Sequence, residues 1–95
     1  MSTKINKPVK DLSILVKHEN EVVRAAVASV GRDEDLDILV HDKDSDVRMA
    51  VAEQGRQQDL DILIHDKDTY VRRVAIAIFE KLKTERNPWH VNESI

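Results

Sequence analysis

The chain has 95 residues, 41% hydrophobic and 35% charged, with 15 Lys and Arg against 18 Asp and Glu and a formal net charge of -3. That acidity argues against a general phosphate-backbone binder, which usually carries a basic excess. The absence of cysteine removes disulfides, thiolate metal sites, iron-sulfur clusters and cysteine nucleophiles together. A single domain of this length buries only about 60 to 65 per cent of its unfolded surface, so its core has to be efficient.

Residues 1–9 read as a polar N-terminal arm ending near Pro8. The apolar cluster that follows, Leu12 with Ile14 to Val16, is far short of a signal-peptide core. No window approaches the roughly 18 to 20 apolar residues of a membrane span, so the sequence points to a cytoplasmic protein with no membrane role.

From Asp11 onward the chain is an internal repeat. DLDILVHDKDSDVR, Asp35 to Arg48, recurs 24 residues later as DLDILIHDKDTYVR, Asp59 to Arg72, and a weaker copy, DLSILVKHENEVVR, runs from Asp11 to Arg24. Three copies, at about 11–34, 35–58 and 59–86, set the architecture before any single residue is considered.

Each copy calls for two helices. Leu36, Leu39 and Val40 are spaced i, i+3, i+4, and Ile38 widens that face, so about Glu34 to His41 reads as a short, largely buried helix. Its equivalents are Leu12, Ile14, Leu15, Val16 and Leu60, Ile62, Leu63, Ile64, with Ser13, Asp37 and Asp61 marking the side facing water. The polar link then supplies helix-start chemistry, from Asp44 or Ser45, from Asn20, and from Asp68 or Thr69. A second helix follows on the stripe Val47, Ala50, Val51, Ala52, echoed by Val23, Ala26, Val27, Ala28 and by Val71, Val74, Ala75, Ile76. Gly31 and Gly55, the only glycines, follow it at the position where a left-handed conformation is needed. In the third copy Phe79 stands where glycine should be, so the helix runs on through Leu82 toward Glu85 and caps the stack. Asn87 and Pro88 stop it, and the tail 87–95 carries Trp89, which is expected to fold back on that cap.

At HDKDSDVR the chain resembles HEAT-like repeats, in which an acid closes the first helix and Val-Arg opens the second after a short polar turn. HEAT units run about 40 to 47 residues, whereas a 24-residue unit with VRMAVAEQG and DLDIL is similar to the leucine-rich repeat variant family, with Lys43 and Ser45 standing where that family's turns commonly carry proline. The resemblance, over roughly Lys10 to Lys83, implies an all-α, right-handed α-solenoid of three 24-residue two-helix repeats and a role as an interaction scaffold. It also implies that Asp42 and Asp66, with Arg48 and Arg72, form a ladder joining one repeat to the next. The first copy has His18 at the aspartate's place. The alternative use of Arg24, Arg48 and Arg72, as an anion-binding row, is opposed by the carboxylates sharing their turns.

The repeated HDKD offers imidazole and carboxylate donors, but no two histidines sit at i, i+3 or i+4, and a duplicated turn copies its helix caps anyway. No nucleophile elbow, glycine-rich phosphate loop or acid pair stands apart from the solvated DEDLD run, so the reading is neither metal site nor cofactor site nor enzyme. What varies between copies is the outer row of the second helices: Val22, Asp46, Tyr70; Ala25, Met49, Arg73; Ser29, Glu53, Ala77. Arg32 and Arg56 extend it with positive charge. A protein partner is expected on Met49, Glu53, Arg56, Tyr70 and Arg73, because Tyr, Met and Arg are enriched at interfaces; Met49 and Val22 could equally fill gaps between helices. The second class, a nucleic-acid module using Arg24, Arg32, Arg48, Arg56, Arg72 and Arg73, is disfavoured by net acidity.

Overall fold

A computed structural model describes residues 14–86. Within them the chain is all-α: a 3-10 turn, Leu15–Lys17, precedes α1 (Glu21–Val30), α2 (Asp33–Leu39), α3 (Ser45–Glu53), α4 (Gln57–Leu63) and α5 (Thr69–Arg86). The N-terminal arm, Leu12, Ser13, the stop at Asn87 and Pro88, and Trp89 lie outside the described residues. No helix among the described residues is long and apolar enough to cross a membrane.

The starts of α1, α3 and α5 are capped by side chains, whereas α2 and α4 begin without a side-chain cap. Asp44 Oδ1 accepts from the Asp46 and Val47 amides, Asp68 Oδ1 from those of Tyr70 and Val71, and Asn20 Oδ1 from Val22 N. Each of these satisfies backbone donors that a helix leaves unpaired. Gly31 and Gly55 end α1 and α3 with φ of 84° and 77°, a region that costs a side-chain-bearing residue about 1–2 kcal/mol. Where Phe79 replaces the glycine, α5 continues for 18 residues in all.

Packing follows the copies. α1 lies against α3 and α3 against α5, while α2 and α4 bridge from one to the next. Leu36, Leu39, Leu60 and Leu63 are almost wholly buried with Val27, Val47, Val51 and Val71, and burial of each such side chain stabilises by about 1.5–3 kcal/mol. A helix of only two turns depends on that contact, since isolated helices this short are marginal in water.

Three expectations are corrected. Ile38 and Ile62 do not widen the buried face: they are 49% and 44% exposed, and Ile14 more so. At roughly 100° per residue, a helix that points Leu36, Leu39 and Val40 inward turns residue 38 well away from them. Asp35, placed in the solvated DEDLD run, is instead buried, as is its equivalent Asp59, because each stands four residues before a buried leucine, Leu39 or Leu63, and so shares its face of the helix. Ala26 and Ile76 are exposed although their equivalents at Ala50, Ala28 and Ala52 are buried. Residue 26 faces the side a preceding copy would cover and residue 76 the side a following copy would cover, and no described element lies there.

Candidate interaction surface

The repeated arginines and aspartates form a ladder that is displaced from a pairing within each copy. Arg24 gives Nε and Nη2 to Asp42 at 2.8 and 3.2 Å, and Arg48 gives the same two atoms to Asp66 at 2.8 and 3.0 Å. Each arginine therefore reaches forward into the next copy. Both pairs are buried, with side-chain exposures of 6–7%. The remaining nitrogen is satisfied backwards: Arg48 Nη1 donates to Asp42 O at 2.7 Å, and Arg24 Nη1 donates to His18 O. Asp42 and Asp66 also accept the Asp44 and Asp68 amides at 2.9 Å, and His18 Nδ1 does the same for Asn20 N. Arg24 was not part of the ladder expected from the sequence, although it makes one of its two rungs. Arg72, which was, holds no rung among the described residues, where it reaches Asp66 O at 2.7 Å and Thr69 Oγ1 at 3.1 Å.

These bonds set the ionisation of the groups. The hydrogen bond it donates to Asp42 raises Arg24 above the ordinary guanidinium value, and the one donated to Asp66 does the same for Arg48, against the opposing effect of burial. Burial works to raise the Asp66 carboxyl, but the bonds from Arg48 and the Asp68 amide, with the charges of Arg48 and Lys67, outweigh it and hold Asp66 below the usual carboxylate range.

A second set of ion pairs was not foreseen. Arg56 gives Nε and Nη2 to Asp59 at 2.8 and 2.9 Å and reaches back to Asp37 at 2.6 Å and the Asp33 carbonyl at 3.1 Å. It ties α4 to α2, and its positive charge is committed to carboxylates; it does not extend an outer row. Hydrogen bonding to Asp59 and then to Asp37 drives its pKa upward despite burial. Arg32 bonds Glu34 at 2.7 Å and lies 3.4 Å from Asp35.

The outer row of α1, α3 and α5 is mixed. Tyr70 is 67% exposed, and Glu53 and Arg73 are also exposed. Met49 is half-buried against the core, which fits the gap-filling reading of that residue. Arg73 follows Tyr70 by three positions, so the two side chains share one face of α5. Among the described residues no group of three or more His, Asp or Glu is arranged to hold a metal ion, and in the HDKD turns the aspartates are occupied as caps and rungs.

Compared with protein-family models, curated proteins and solved structures, the chain gives no match to any.

Proposed function

We propose that the chain is a noncatalytic protein-binding scaffold, built as a right-handed α-solenoid of three HEAT-like repeats of the leucine-rich repeat variant type. In this reading the contact surface is the outer row of the second helices, centred on Tyr70 and Arg73 with Glu53 at its edge and Met49 behind it. The observation that carries the proposal is Tyr70: a large aromatic two-thirds exposed, on the helix face it shares with Arg73. An exposed tyrosine beside an arginine has the makeup of a binding hot spot. The solenoid part of the reading is supported by the 24-residue recurrence of sequence, caps and forward-reaching ion pairs. The nucleic-acid alternative loses ground, because Arg24, Arg48 and Arg56 are each bonded to aspartate and so cannot serve phosphates without breaking those pairs.

The test is alanine substitution with two readouts on the same preparations. Tyr70→Ala and Arg73→Ala should each weaken capture of a protein partner from a nuclease-treated extract, with a cost on the order of 2 kcal/mol, and leave the melting midpoint unchanged. A fall in stability with unchanged capture per folded molecule would show that Tyr70 is packing only.

A further inference from the structure

Arg24 and Arg48 show what this arginine position does when another copy follows it, and α5 keeps the position without the copy. In α1 the stripe Arg24, Ala28, Gly31 is covered: Arg24 takes Asp42, Ala28 is fully buried, and a side chain added at Gly31 would meet Gln54. In α3 the stripe Arg48, Ala52, Gly55 is covered in the same way by Asp66 and by Ile78 and Leu82 of α5. In α5 the equivalent stripe is Arg72, Ile76, Phe79, continued to Lys83. Ile76 is 46% exposed, and the Lys83 ammonium lies 5.6 Å from the Phe79 ring centre.

The guanidinium of Arg72 is nevertheless already posed. Its Nη1 donates to Asp66 O at 2.7 Å, as Arg48 Nη1 does to Asp42 O at 2.7 Å, so it is anchored by the same backbone bond as the arginine that does hold a carboxylate. The Nε edge that would grip a carboxylate has no acid on it among the described residues; its Nη2 donates to Thr69 Oγ1 at 3.1 Å, a contact that an incoming carboxylate would share or displace. A planar fork fixed in advance loses little freedom on binding, which favours a bidentate carboxylate over a point contact.

We propose that the Arg72–Ile76–Phe79–Lys83 stripe is a docking face for an acidic helical segment of another protein, with a carboxylate in the turn ahead of the helix taken by Arg72. The chemistry is read from the occupied copies. Asp66 sits just ahead of α5, and Ile78 and Leu82, three to four turns further on, lie against α3; a partner with an acid followed by apolar residues at that spacing repeats the arrangement. Arg72 at one end and apolar side chains beyond it complement such a segment, while Lys83 at the other end is shared with Glu80 at 3.5 Å. A second copy of this chain is the wrong occupant. Its leading turn carries His18 where the acid belongs, and its Asp42 and Asp66 are already held by Arg24 and Arg48. The stripe is a different face of α5 from the Tyr70–Arg73 pair, and its failure would leave that surface untouched.

The experiment follows the side-chain Nε–H resonance of Arg72 by NMR in the full chain, with a synthetic peptide copying residues 63–82 as the probe and its Asp66→Asn version as the control. The expected result is that the acidic peptide shifts the Arg72 signal and slows its exchange with water, and that the asparagine peptide needs roughly tenfold more for the same effect. Arg72→Lys, which keeps the charge and loses the fork, should bind the acidic peptide no better than the control peptide. The proposal is overturned if the two peptides act alike, if neither moves the signal at millimolar concentration, or if the signal moves with protein concentration alone, which would mean that a second copy fills the site.

Discussion

Asp35 and Asp59 occupy equivalent positions and are both buried, yet only Asp59 is fully satisfied. Arg56 stands beside Gln57 and Gln58 and gives two nitrogens to Asp59. Arg32 stands beside Asp33 and Glu34 and gives Nη2 to Glu34, and Asp35 Oδ2 is left buried without a hydrogen bond. Burial therefore raises the Asp35 carboxyl, and the Arg32 charge only partly offsets it. The linkage has opposite signs at the two kinds of site. For Asp35 the folded chain binds the proton more tightly than the unfolded one. Its effect is to lower stability as pH rises from the ordinary aspartate value through the raised one. Asp66, whose folded value is lowered, contributes stability above the ordinary aspartate value and loses it as pH falls through the lowered one. Removing one competitor, by Glu34→Gln, should let Arg32 close further on Asp35, as Arg56 closes on Asp59. A carbon-13 titration of the Asp35 carboxyl should then move down, and the denaturation midpoint at neutral pH should rise; an unmoved titration would contradict this account.

At the scale of the element, a glycine decides where the second helix stops. A side chain at Gly55 would take φ of 77° and sit 3.4 Å from Leu82 Cδ1 and 4.0 Å from Ile78 Cγ2, so the backbone penalty dominates and the space is ordinary van der Waals contact. Gly55→Val should lower stability by about 1–2 kcal/mol while the helical circular dichroism signal is kept; an unchanged denaturant midpoint would show that the left-handed turn is not required. The all-α class, the capping residues Asn20, Asp44 and Asp68 and the stops at Gly31 and Gly55 were legible in the sequence because each is written locally, in a period of apolar residues, a capping side chain at the head of a helix, or a lone glycine. The outward turn of Ile38 and Ile62 was not, because in a two-turn helix nearly every residue is apolar and the pattern alone does not say which side the core lies on. Burial of Asp35 was hidden for the same reason: charge reads as exposure until a neighbouring helix is placed over it.

Across the whole molecule, the copies are joined by side chains that leave their own turn. The sequence shows an acid and an arginine six residues apart in each of two copies, Asp42 with Arg48 and Asp66 with Arg72, and spacing cannot tell a pair within a turn from one between turns. The structure distinguishes them through the contacts of Arg48, which takes the Asp66 carboxylate 18 residues ahead and only the backbone carbonyl of Asp42. Removing one partner of a buried pair of this kind leaves the other charge uncompensated, at a cost of about 3–5 kcal/mol. The most direct test is a pair of double-mutant cycles on thermodynamic stability, Arg48→Met with Asp66→Asn and Arg48→Met with Asp42→Asn. Forward stitching predicts a coupling of about 1.5–3 kcal/mol in the first cycle and near-additivity, within about 0.5 kcal/mol, in the second. Coupling concentrated in the second cycle, or additivity in both, would contradict it.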